Sequence, residues 1–169
     1  MYSVHVAKAF EHVVTSPATS RAVIRDATAA DVPRILAMGR RFYAASPYAA
    51  VAGYSDAAAA DLVAALIAGG VLLVAEHHSE VVGMIGLHVT GLAFDPATLT
   101  ATEVMWWVEP EARGLGVAVD LRCQAEARCR ARGCRWIAMS VLAGSPAHAT
   151  DQLATAGYHH FESSFLLEL

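Results

Sequence analysis

Apolar residues recur along this chain with two periods, and the switches between them mark out its elements. Ala22 to Ala27 reads as a first strand, and Thr28 with Asp31 three residues on reads as a capping box. Val32, Ile35, Leu36, Met38 and Phe42 then follow at the spacing of one buried helix face, which should end before Ser46-Pro47. After a loop holding Tyr48, Gly53 and Tyr54, Ser55 or Asp56 caps a second helix running to about Ala68. Gly69-Gly70 closes that helix. Val71 to Glu76 is a strand, His78-Ser79-Glu80 a turn, and Val81 to Val89 its antiparallel return. A loop through Phe94-Asp95-Pro96 leads to a fourth strand, Ala101 to Val108, dense in β-formers and ended by Pro110. A helix from about residue 115 to Arg132 is stopped by Gly133. Trp136 to Leu142 is a fifth strand, Ser145-Pro146 opens a helix that Gly157 terminates, and Tyr158 to Leu169 reads as a closing strand or pair of strands.

The order β-α-α-β-β-β-α-β-α-β predicts an α/β fold, with a central mixed sheet of about six or seven strands and helices on both faces. Residues 21–169 form a single domain on this reading. Residues 1–20 stand outside it as an N-terminal extension, in which Val4, Ala7, Phe10, Val13 and Val14 have the spacing of a short helix.

Composition changes this picture little. Of 169 residues, 56 % are hydrophobic and 17 % charged, and the mean hydropathy is +0.41. The longest candidate for a membrane span, Ala57 to Ala75, is interrupted by Asp61 and broken by Gly69-Gly70, so no membrane association is expected. Met1 to Val14 carries Lys8, Glu11 and two His with no apolar core of signal-peptide type, which points to a cytoplasmic protein. A formal net charge of −4 argues against nucleic acid as a partner. Cys123, Cys129 and Cys134 form no Cys-x-x-Cys pair, and the His pairs at 77–78 and 159–160 point apart on a strand, so no metal site is expected.

The chemistry concentrates where the fourth strand meets the helix after it. Arg113-Gly114-Leu115-Gly116-Val117-Ala118 places two glycines at a helix N-terminus, where free N–H groups and the positive end of the helix dipole suit a phosphate or pyrophosphate. Val117-Ala118 replaces the Lys-Ser or Lys-Thr pair of a Walker loop, and Val119 stands where a dinucleotide fingerprint has its third small residue. An ordinary glycine-bearing helix start fits these few residues equally well.

The longer pattern is more specific. Val108-x-Pro110 followed by Arg113-x-x-Gly116-x-Ala118 resembles the coenzyme A pyrophosphate motif of the GNAT superfamily of acyl-CoA N-acyltransferases. Ala22 to Asp31 resembles that family's first strand and helix start, Val81 to Gly86 its third strand, and Ala156-Gly157-Tyr158 the glycine–aromatic step before its final strands. The likeness spans about residues 21–169. Trp106-Trp107-Val108-x-Pro110, with Gly157-Tyr158, Glu162 and a short apolar tail, is most similar to phage- and prophage-borne members.

The resemblance implies an N-acetyltransferase that uses acetyl-CoA. It implies that backbone N–H groups from Arg113, Gly114, Leu115, Gly116, Val117 and Ala118 hold the pyrophosphate. Backbone groups of Trp106, Trp107 and Val108 would pair with the pantetheine arm as an added strand does. The acceptor is then a small-molecule or peptide amine, whose proton a general base removes. Glu103 is the candidate base, with Glu76 and His88 as fallbacks, and strand alternation sets Glu103, Met105 and Trp107 on one face. Many members protonate the leaving thiolate with a Tyr four residues before the glycine of the glycine–aromatic step. That position here is Leu153, leaving Ser145, His148 or water as acid, unassisted protonation, a domain that binds acyl-CoA and has lost transfer, or an interaction module that uses only the fold. Tyr43, Tyr48 and Tyr54 fall in the family's acceptor region, with Tyr43 and Tyr48 as the candidate contacts, and Phe42 is expected in the core. No acidic cluster announces a polyamine or aminoglycoside pocket. A homodimer paired through Phe165 to Leu169 remains an alternative to an internal closing strand.

Overall fold

The computed structural model describes residues 21–145 and 148–167. The proposed N-terminal helix, Pro146, and the last two residues of the expected closing strand lie outside those residues. Strand β1 (Val23–Asp26) leads through a 3-10 turn into helix α1 (Val32–Ala45), and helix α2 (Asp56–Gly69) follows. Strands β2 (Val71–His77), β3 (Glu80–Leu92) and β4 (Asp95–Val108) form an antiparallel meander. Helix α3 (Val117–Ala131) crosses over to strand β5 (Ile137–Ala138), which pairs parallel to β4, and helix α4 (His148–Thr155) comes last. The sheet order is β1-β2-β3-β4-β5.

The expected start of α1 forms through Asp31, whose carboxylate accepts the Thr28 N–H at 2.8 Å and both arms of the Arg25 guanidinium at 2.8 Å. Helices cover both faces of the sheet, and the central strands β2, β3 and β4 bury residues on both sides. Ile35, Met38, Val63 and Leu66 pack on Leu72, Val74, Met84 and Met105, while Val117, Leu121, Ala125 and Cys129 pack on Leu73, Ala75, Ile85 and Leu87 on the other face. Near-continuous burial from Val71 to Ala75 is the expected signature of a two-sided strand.

Four expectations need correction. The loop foreseen at Phe94-Asp95-Pro96 is a tight turn: β4 begins at Asp95, whose carboxylate accepts from the Thr98 hydroxyl at 2.6 Å. The fifth strand is two residues long, not seven. Residues 158–167 add no strand, and Phe161, Phe165, Leu166 and Leu167 are exposed, so the described sheet has five strands rather than six or seven.

The fourth correction shapes the site. Met105 pairs with Gly86, but Glu103 pairs with Leu87, so Val104 is an extra residue with no partner of its own. This β-bulge breaks the alternation. Val104, Met105 and Trp107 all contribute to the α1–α2 side, whereas Glu103 pairs with Leu87, which belongs to the α3 side. Glu103 therefore does not share a face with Met105 and Trp107.

Candidate active site

Beyond the bulge, β4 bends away from β5. Their pairing stops after Ala101↔Ile137 and Thr102↔Ala138, and a wedge opens between the strands. A cavity of about 360 Å³ fills it, lined by Glu103, Val104 and Trp106 of β4 and by Ser140, Val141 and Leu142 after β5. Ser145, with Ala149, Gln152 and Leu153 of α4, forms a further wall, and Phe42 and Tyr48 close the α1 side.

The backbone of β4 presents one edge to this wedge. Glu109 N–H donates to Val82 O at 2.8 Å, and the Trp107 carbonyl lies 3.2 Å from where a side chain at Gly83 would begin, so Trp107 turns its backbone toward β3. By alternation, Trp106 and Val108 turn theirs into the wedge. Of the three residues expected against the pantetheine arm, Trp106 and Val108 thus turn backbone to the wedge and Trp107 does not. The Trp106 indole Nε1 is buried and has no hydrogen-bond partner. The Trp107 indole instead donates to Glu109 Oε2 at 3.1 Å and packs edge-on against Phe42 at 6.5 Å.

The loop from β4 to α3 ends in two residues with left-handed backbone, Gly114 (φ 82°) and Gly116 (φ 80°). A Cβ at either would meet open space, so the backbone is bare to any approaching group. The Arg113 N–H is taken by Pro110 O at 3.3 Å, and the next backbone N–H along the chain with a backbone acceptor is that of Asp120, to Gly116 O at 3.0 Å. The helix start leaves the N–H groups of Val117 and Ala118 free for a ligand. Arg113 supports this cradle through its side chain: Nε donates to Val108 O at 3.0 Å, and the guanidinium sits 4.8 Å from the Trp107 ring centroid.

Glu103 is half-buried at the mouth of the wedge, where its Oε2 accepts the Ser140 N–H at 3.4 Å. Burial pushes its carboxyl up to about 7, against the smaller opposing pull of that N–H. A carboxylate so placed can take up a proton near neutral pH. The two fallback bases sit elsewhere. Glu76 is paired with Arg25 at 3.0 Å on β2, and His88 does not line the cavity.

The tyrosines divide. Tyr48 lines the cavity, but Tyr43 does not: its hydroxyl donates to Ala52 O at 2.8 Å and its ring packs on Tyr54 at 5.2 Å, which fastens the loop between α1 and α2. Phe42, expected in the core, faces the cavity. Leu153 lines it without a proton to give, and of the proposed substitute acids Ser145 lines it while His148 does not.

One functional residue escaped the sequence reading. Glu109 is 5 % exposed and receives Arg34 at 3.0 Å, Arg41, and the Trp107 indole. Burial opposes its ionisation, but the Trp107 hydrogen bond and the two arginines outweigh it and hold the carboxyl below its ordinary value. It ties α1 to the end of β4. The signal available was the seven-residue spacing of Arg34 and Arg41, two turns along one helix face.

A model of the Acetyltransferase (GNAT) family matches residues 40–150. No curated protein matches the sequence. A solved structure described as a transcriptional regulator from Bacillus halodurans superposes with a TM-score of 0.71 at 20 % identity, covering 88 % of this chain and 100 % of that one. An acetyltransferase from Clostridium acetobutylicum solved with acetyl-CoA gives 0.69 at 12 % identity, covering 87 % and 96 %. AAC(6')-Iy, solved with a CoA-linked bisubstrate analogue, gives 0.71 at 14 % identity, covering 89 % and 99 %.

Proposed function

Because the chain belongs to the GNAT family of acetyltransferases, we propose that it moves an acetyl group from acetyl-CoA directly to the primary amine of an acceptor, both bound at once. Three features of the chain fit the CoA half. The bare turn at Gly114–Gly116 and the free N–H groups opening α3 suit the pyrophosphate. The outward backbone of Trp106 and Val108 suits the pantetheine amides, and the orphaned Trp106 Nε1 is a buried donor in need of a carbonyl. Bound acetyl-CoA supplies an acyl group activated as a thioester. The amine nitrogen takes that group, free CoA thiol is released, and one proton must leave the nitrogen.

Glu103 takes that proton. Its raised proton affinity, at a carboxylate set in the wedge, is the observation that carries this assignment. No cysteine lines the cavity among the described residues, in keeping with direct transfer rather than an acyl-enzyme. Tyr48 and Phe42 form the acceptor wall. Ser145 and Ser140 are the hydroxyls available to the departing sulfur. A cytoplasmic location accords with three free thiols, and no helix among the described residues is long and apolar enough to cross a membrane. A homodimer through the exposed Phe165, Leu166 and Leu167 belongs to the same reading.

A second reading, a domain that binds acyl-CoA without transferring it, is favoured by one observation: Leu153 gives the cavity an apolar surface where many relatives carry a phenol. A free-thiol assay with acetyl-CoA over a panel of amines separates the two. Amine-dependent thiol release is expected; tight acetyl-CoA binding with only slow, amine-independent release establishes the second reading.

A further inference from the structure

The acceptor side of the cavity is poor in charge. Among the described residues that line it, Glu103 is the one carboxylate, and no Lys, Arg or His joins it. Phe42, Tyr48, Trp106, Leu142 and Leu153 supply most of the remaining wall, with Ser140, Ser145 and Gln152 as neutral polar groups. Glu109, three residues beyond Trp106, is already spent on Arg34, Arg41 and Trp107. Asp56, at the start of α2, is paired with Arg40 at 2.8 Å.

From this arrangement we infer that the acceptor is a small monoamine with an apolar or aromatic body, and that amines carrying several cations are rejected. The inference rests on the transfer reading above. One ammonium entering the wedge meets one carboxylate, which takes its first proton before attack; the second leaves the nitrogen after attack and ends on the departing thiolate. A second ammonium on the same molecule would meet apolar and neutral polar side chains with no carboxylate to pair with, and desolvating a charge even in part without a counter-ion is unfavourable. Size acts in the same direction. The cavity's 360 Å³ must also hold the end of the pantetheine arm, and ligand pockets commonly run from about 300 to 1,000 Å³. A compact acceptor suits that space better than a bulky polycationic sugar.

A matched pair of acceptors isolates the charge term: hexylamine and hexane-1,6-diamine have the same length and differ by one amine. With acetyl-CoA saturating, and phenethylamine and spermidine as further arms, kcat/KM from thiol release should favour the monoamines on the order of 10- to 100-fold. Gln152→Glu, a near-isosteric change that adds a second carboxylate to the wall, should narrow the hexylamine-to-diamine ratio. A diamine or spermidine used as well as the monoamines overturns the inference. So does acetyl-CoA binding, seen by calorimetry, with transfer to neither hexylamine nor phenethylamine. Failure to bind acetyl-CoA at all overturns the transfer reading and this inference with it.

Discussion

Two carboxylates six residues apart, one on β4 and one just past its end, have opposite fates, and the cause is what the fold sets beside each. Glu109 is met by two arginines and an indole and stays ionised; Glu103 is met by one distant N–H and apolar walls, and its proton is held to about pH 7. Neither environment is legible in the residues themselves. The family resemblance marks Glu103 as a candidate by its place on the fourth strand, but its proton affinity comes from burial in a wedge whose facing wall includes Ser140, 37 positions away. Glu103→Gln should lower kcat by roughly 100-fold or more with little change in acetyl-CoA affinity. The wild-type rate should rise with pH through about 7, since only the ionised form accepts a proton. Stability should move the other way. Folding raises this group's pKa from 4.5, so its contribution is fully present below pH 4.5 and is lost as pH climbs through about 7. Glu103→Gln should therefore stabilise the protein at pH 8 by about 1–3 kcal/mol, with no gain at pH 4, as urea melts at the two pH values would show. Glu109→Gln should cost about 1–3 kcal/mol at pH 7 in the same assay, because it weakens a buried, doubly paired acceptor.

At the scale of elements, the helices were readable and the sheet edges were not. Helix α1 begins where Thr28 and Asp31 said it would, and α3 opens after the glycines and closes with Gly133 in left-handed backbone, both local matters of side chain and backbone. Strand ends depend on partners remote in sequence. Asp95-Pro96 has the chemistry of a turn, yet β3 lies alongside and extends β4 through it. Trp136 to Leu142 has the composition of a strand, yet the Val104 bulge draws β4 away after two paired residues. Nothing in Glu103-Val104-Met105 signals that bulge. The tight turn before α3, by contrast, was legible as Gly-x-Gly in its left-handed backbone, and the structure adds that Arg113 braces it through Val108 and Trp107, with its own N–H already taken. Arg113→Ala should weaken acetyl-CoA binding about tenfold by loosening this loop, a loss of roughly 1.4 kcal/mol. Gly116→Asp should weaken it further, since it sets a carboxylate beside the phosphates and forces a side chain into left-handed backbone. Calorimetric titration of acetyl-CoA into each variant checks both, and unchanged affinity for Gly116→Asp would remove the cradle from the site.

At the scale of the whole molecule, a chain of net charge −4 can still hold a polyanion because backbone N–H groups at one helix end supply the attraction. The α/β class and helices on both faces followed from the order of periodicities. The count of strands did not, because apolar tail residues such as Phe165 and Leu166 have strand composition with no neighbouring strand among the described residues. If that surface pairs two copies, light scattering should give twice the monomer mass, and Phe165→Asp with Leu167→Asp should return the monomer.

The shortness of β5 has a further consequence. The strand pairing of β4 with the chain that follows α3 is only two residues long, flanked by the Arg135 N–H to Leu99 O at 2.7 Å and the Ser140 N–H to Glu103 at 3.4 Å, so α4 and the wall it forms gain little from the sheet itself. An occupant hydrogen-bonded to β4 inside the wedge would bridge that break. Local opening of residues 137–158 and loss of cosubstrate then become linked equilibria. Amide hydrogen exchange in that stretch should slow in proportion to acetyl-CoA occupancy while the β2–β3 amides stay unchanged, making the order of that stretch a readout of cosubstrate supply.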